Sequence, residues 1–143
     1  MDSPAEAPHA FAMLSRRQRG ADERPLVTVV DDDESVRESL PDLLREFGFS
    51  ARAFASAEEF LRSGAARQSR CLVLDVAMPG MNGLDLQREL ARRGLAIPIV
   101  FITAQKDEVV RARALAQGAA GFLHKPFSDS ALLAALRSAM PGD

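Results

Sequence analysis

Leu26-Val27-Thr28-Val29-Val30-Asp31-Asp32-Asp33-Glu34 decides the reading of this chain. A short, nearly continuous apolar run is what a strand buried on both faces needs. The acidic residues end it abruptly. Beyond them Val36, Leu40, Leu43, Leu44 and Phe47 recur at helical spacing, up to a stop at Gly48. The stretch predicts a strand, an acidic turn and a helix over residues 34–47. Pro41 lies inside that helix and removes one backbone hydrogen bond, so a kink or a restart is expected there.

Working outward, the alternation repeats four more times. A strand at Ser50–Phe54 leads to a helix at Ala57–Leu61, with Ser56 and Glu59 spaced as a capping box. A strand at Cys71–Leu74 runs through the loop Met78-Pro79-Gly80-Met81-Asn82-Gly83 into a helix at Leu84–Arg92. A strand at Ile97–Ile102 precedes a helix at Asp107–Gln117, stopped by Gly118. A strand at Ala120–Leu123 precedes a helix at Asp129–Met140. Such βα units predict an α/β domain, a parallel sheet with helices on both faces. Ligands in these sheets bind beyond the C-terminal strand ends, where the strand order reverses.

The residues at those ends are the unusual ones. Asp31 and Asp32 follow the first strand, Asp75 the third, Thr103 and Ala104 the fourth, and Lys125 the fifth. Carboxylates gathered on one sheet edge raise one another's pKa unless a cation intervenes. An all-oxygen set suits Mg²⁺, or Mn²⁺, and a hydroxyl with an ammonium opposite complements a phosphoryl group. Taken singly, each has a plainer reading: a helix cap for the acidic run or Thr103, a turn for Asp75, a surface lysine for Lys125. Their recurrence at successive strand ends selects the functional one.

Composition narrows the rest. The length suits one domain, and a formal net charge of −2 supplies no basic field for gripping nucleic acid. The single cysteine, Cys71, cannot form an internal disulfide, and no apolar run approaches a membrane span. The expectation is a soluble cytoplasmic protein. Residues 1–24 hold Arg16, Arg17 and Arg19 with Pro4 and Pro8, and read as a flexible N-terminal extension to a domain over 25–143. A start at Met13 is the alternative.

Val29-Val30-Asp31-Asp32-Asp33, the run from Leu72 to Leu86, Pro98 to Ala104 and Gly121 to Phe127 resemble response-regulator receivers of bacterial two-component systems. Ser35–Leu40 and Phe54–Leu61 look closest to the FixJ-type subgroup, whose members usually carry a C-terminal helix-turn-helix domain. The resemblance spans roughly Leu26 to Met140. It implies the flavodoxin-like receiver fold with strand order 2-1-3-4-5. Asp75 would be the phosphoacceptor for a sensor histidine kinase, a self-phosphorylating group rather than the centre of a turnover enzyme. Asp31, Asp32 and Asp75, with the Ala77 backbone carbonyl, would hold Mg²⁺. Thr103, Ala104 and Lys125 would bind the phosphoryl group, and Thr103 and Phe122 would form the switch. Lys125-Pro126 would be a cis peptide. Asp33 and Glu34 read as a helix cap, Met78 and Met81 as loop packing, His124 as surface.

Two rival classes define what must be distinguished. Asp31-Asp32-Asp33 also fits the strand-end Asp-x-Asp pattern of haloacid-dehalogenase-like phosphatases, with Asp31 as nucleophile. A docking-only pseudo-receiver is opposed by the intact set Asp31, Asp32, Asp75, Thr103 and Lys125. The fourth helix, fifth strand and fifth helix form the expected signalling face for a homodimer or effector. There Val109, Ala112 and Ala116 share one side, with Val110 and Leu115 turned to the core. Both a stand-alone regulator and a portion of a longer transcription factor fit this sequence, which itself contains no DNA-reading element.

Overall fold

The computed structural model describes residues 24–142, so the extension read from residues 1–24 lies, Arg24 apart, outside the described residues. The strands are β1 (Leu26–Val30), β2 (Ser50–Phe54), β3 (Cys71–Asp75), β4 (Ile99–Thr103) and β5 (Gly121–His124). The helices are α1 (Glu34–Glu46), α2 (Ala57–Ser63), α3 (Gly83–Arg92), α4 (Glu108–Ala116) and α5 (Asp129–Ala139). All strand pairs are parallel, in the order β2-β1-β3-β4-β5.

Continuous apolar strands make sense because the sheet is covered twice. On one face Val27, Val29, Val73, Val100 and Ile102 pack with Leu40 and Leu44 of α1 and Leu132 and Leu136 of α5. On the other, Val30, Leu72, Leu74 and Phe101 pack with Phe60 of α2, Leu84, Leu86 and Leu90 of α3, and Ala114 of α4. Burial on both faces removes the polar alternation that a half-exposed strand shows. Thr28 is a polar residue fully buried within β1, and its hydroxyl is paired with that of Ser69 at 2.7 Å.

Several local expectations need correction. The helix α1 does not restart at Pro41: it runs unbroken from Glu34 to Glu46 with Pro41 buried between Leu40 and Leu44. Burial of that face sustains the helix through one missing hydrogen bond. Helix α2 continues past Leu61 to Ser63, ends on left-handed Gly64, and is followed by a 3₁₀ turn at Ala65–Gln68. The turn buries Ala65 and Ala66, whose small side chains give no periodic signal. Ser56 caps α2 through the Glu59 amide, but Glu59 reaches the Ala55 amide instead of closing a reciprocal box. The reciprocal box belongs to α3, between Asn82 and Asp85. The fourth strand begins at Ile99 rather than Ile97, after Pro98. Leu115 is 39% exposed and does not face the core; Ala114, four residues on from Val110, does. Residue size favoured Leu115, whereas helical geometry selects the i, i+4 partner.

The register carries the functional consequence. Val30 pairs with Leu74, Asp75 with Ile102, and Thr103 with His124. Asp31, Asp75, Thr103 and Lys125 therefore fall at, or one step beyond, aligned strand ends on a single edge.

Candidate functional site

Strand β1 delivers Asp31 into the interior, where it is fully buried, while Asp32 beside it is exposed. Asp31 accepts from the Asp33 amide at 2.9 Å and from the Lys125 ammonium at 2.8 Å. Asp33 then caps α1 by accepting from the Ser35 amide and hydroxyl. Two of the adjacent acids are thus divided by role: Asp31 turns inward, Asp33 serves the helix.

Asp75 ends β3 and is buried. Carboxylate oxygens of Asp31, Asp32 and Asp75 lie within 4.8 Å of one another. Burial first, and then the neighbouring Asp31 charge, push the Asp75 carboxyl up to about 7, against the opposing pull of Lys125. Lys125 lies 4.0 Å from Asp75 and much closer to Asp31. Burial lowers the Lys125 pKa, but the hydrogen bond and charge of Asp31 outweigh it and hold the ammonium above its usual range. One ammonium facing three crowded carboxylates leaves uncompensated negative charge. The donor set is hard oxygen, so these residues fit a small divalent cation such as Mg²⁺.

The other expected residues are placed by the backbone around this cluster. The Lys125 amide donates to the Thr103 carbonyl at 2.7 Å, and the Val76 amide to the Ile102 carbonyl at 3.1 Å. These bonds extend the β3–β4–β5 ladder beyond its last pairs. Thr103 is buried, and its hydroxyl accepts from the Gln105 amide at 3.1 Å. Ala104 is exposed beside it, and Ala77 is exposed in the loop two residues beyond Asp75. Phe122 is half-buried on β5, its ring 6.1 Å from that of Phe101. The Lys125-Pro126 peptide is cis, and His124 is exposed. Met78 and Met81 pack on the core, as loop packing requires.

Three features of this edge were not read from the sequence. Gly83 has no unusual backbone angle; it is needed because a Cβ there would stand 2.5 Å from the Asp75 carbonyl oxygen. Phe101 fills the space beside it, with its ring 3.1 Å from that same position. Glu58, on α2, accepts a hydrogen bond from the Met81 amide at 2.9 Å, across the loop that follows Asp75. All three depend on distances between elements, which periodicity does not encode.

Comparison with known proteins places this geometry in a family. The response regulator receiver domain model matches residues 27–137. Nodulation protein W of Bradyrhizobium diazoefficiens is 47% identical over 123 residues, covering 86% of this chain and 54% of that protein. The structure of the response regulator StyR superposes with a TM-score of 0.76 at 49% identity, over 82% of this chain and 59% of that one. The crystal structure of FixJ-N superposes with a TM-score of 0.75 at 36% identity, over 83% of this chain and 95% of that one. The chain spans about half the length of the curated relatives it matches. These relatives are response regulators, so the haloacid-dehalogenase-like reading with Asp31 as nucleophile is set aside. Among the described residues no helix is long and apolar enough to cross a membrane. With its 2-1-3-4-5 sheet and acidic edge, the chain belongs to the response regulator receiver family of two-component systems, on its FixJ-type branch.

Proposed function

We propose that Asp75 accepts a phosphoryl group from the phosphohistidine of a sensor kinase. The observation that carries this reading is the convergence of Asp31, Asp32 and Asp75 with the Lys125 ammonium at one sheet edge. An Asp75 carboxylate oxygen attacks phosphorus in line, the P–N bond to histidine breaks, and the imidazole leaves with the electron pair. Lys125 moves from its counter-ion position on Asp31 to the transferred phosphoryl oxygens, where an ammonium stabilises developing charge. Mg²⁺, or Mn²⁺, held by Asp31, Asp32, Asp75 and the Ala77 carbonyl, supplies charge neutralisation at those oxygens when bound.

Thr103 and the Ala104 backbone then bind the phosphoryl group. Release of the Thr103 hydroxyl from the Gln105 amide draws the β4–α4 connection toward the site, and Phe122 reorients with it. The readout is a population shift at the surface of α4, β5 and α5, available to a second copy or an effector. Each chain takes up a phosphoryl group as a signal, so the domain acts as a switch and not as a turnover enzyme. A free thiol at Cys71 suits the cytoplasm, where such a kinase would present its phosphohistidine.

Phosphoramidate, a P–N donor, tests the reading. Phosphoryl incorporation is expected with Mg²⁺ and is expected to vanish when the metal is chelated. Equal incorporation in excess chelator would refute it.

A further inference from the structure

The loop after Asp75 is anchored at three points. The Gly83 amide closes it by donating to the Val76 carbonyl at 2.9 Å, and Asn82 and Asp85 lock its far end as a capping box. Between those points the Met81 amide donates to a side chain from another element, Glu58 of α2, at 2.9 Å. That bond holds the Glu58 carboxyl below its usual range. Its base is rigid: Ala57 and Phe60 are fully buried, and the Phe60 ring stands edge-on to Phe54 with centroids 5.8 Å apart. Glu58 also occupies the first turn of α2, where the helix dipole favours a negative charge. Opposite it the loop leaves room: a Cβ at Gly80 would stand 2.8 Å from the Glu58 carboxylate, and Gly80 has φ +74°. The contact is thus built from both sides, a short residue where the carboxylate passes and an amide aimed at it.

We infer that Glu58 is a positioning residue for the metal-dependent reaction. It never touches the phosphoryl group; it sets the path of residues 77–81, and with it the Ala77 carbonyl. The inference rests on the site reading given above and extends it to a second element. Removing a partner that orients a metal ligand from behind typically costs about 10–100-fold in metal affinity.

The decisive pair of variants separates reach from charge. Glu58→Asp keeps the charge but shortens the side chain by one methylene, too short for a bond already at 2.9 Å. Glu58→Gln loses the charge but keeps an acceptor oxygen at full reach. In the full chain without metal, hydrogen exchange of the Met81 amide should quicken in Glu58→Asp and stay slow in Glu58→Gln. Mg²⁺ affinity should fall roughly tenfold in Glu58→Asp and remain near that of the parent in Glu58→Gln. Phosphorylation of Glu58→Asp should be slow at low Mg²⁺ and recover at saturating Mg²⁺, which a general loss of structure would not allow. Unchanged Mg²⁺ affinity in Glu58→Asp, or an equal loss in both variants, would overturn the inference. Parent protein that binds no Mg²⁺ would instead refute the site reading on which it depends.

Discussion

Replacing Gly83 with alanine should damage this domain although alanine favours helices. An added Cβ would lie 2.5 Å from the Asp75 carbonyl oxygen, 3.0 Å from the Val76 Cα and 3.1 Å from the Phe101 ring. The first two are backbone atoms and the ring is fully buried, so none of them can swing aside. Relief requires moving α3 away from the end of β3. Overpacking of this kind costs about 1–3 kcal/mol. The helix-propensity gain of alanine over glycine is at most about 1 kcal/mol and is smaller at the first helical residue. A net loss of about 1–2 kcal/mol follows, or a fall of roughly 3–10 °C in Tm for a domain of this size. The chain has no Trp or Tyr, so urea unfolding should be followed by far-UV circular dichroism. Gly121→Ala is the matched control. Its Cβ would meet only ordinary contacts of 3.5–3.6 Å, and its stability should stay within about 0.5 kcal/mol of the parent. Because the shift falls on Asp75 itself, Gly83→Ala should also weaken Mg²⁺ binding. Gly83→Ala as stable as the parent, with unchanged Mg²⁺ affinity, would refute the close-approach argument.

Other consequences follow from the same geometry. Asp32→Ala should weaken Mg²⁺ by at least about tenfold by calorimetric titration, whereas Lys125→Ala should retain metal binding yet phosphorylate slowly, since it removes a competing cation and a phosphoryl clamp together. Parent-like affinity in Asp32→Ala would contradict the ligand set. Burial pushes the Cys71 thiol up to about 12. An unfolded thiol titrates near about 8.5, so this group's contribution to stability is complete below that pH and is lost as pH rises toward about 12. Urea midpoints should therefore fall more steeply above about pH 9 for the parent than for Cys71→Ala, and parallel curves would count against the buried thiol. On α4, Val109 is 68% exposed and shares its open side with Ala112 and Ala116. Ala112→Arg should weaken phosphorylation-dependent self-association in sedimentation while leaving phosphorylation intact; an unchanged association constant would remove this stripe from the interface.

What could be read from the sequence was what the backbone dictates locally. Apolar strands that stop at an acid, a threonine or a lysine announce a functional edge, because such residues are costly to bury unless paired. Asp31, Asp75 and Thr103 are buried, and Asp31 is paired with Lys125. Strand order did not follow from periodicity, which is blind to which strands are neighbours; it came with the family resemblance. Positions whose meaning lies in a gap between elements stayed silent. Gly83 stands too close to the Asp75 carbonyl to carry a side chain, Glu58 reaches across to the Met81 amide, and Leu115, expected in the core, is exposed because α4 turns Ala114 inward. Pro41 shows the reverse case, in which packing of Leu40 and Leu44 outweighs a local rule.

The proposed switch stands or falls with Asp75 as the phosphoacceptor. Its most direct test is to trap the acyl phosphate by borohydride reduction after treatment with a phosphodonor and Mg²⁺, then map the reduced residue by peptide mass spectrometry. A single modified position, Asp75, is expected, with no modification in Asp75→Asn. Modification at Asp31 or Asp32, or full labelling that persists in Asp75→Asn, would contradict it.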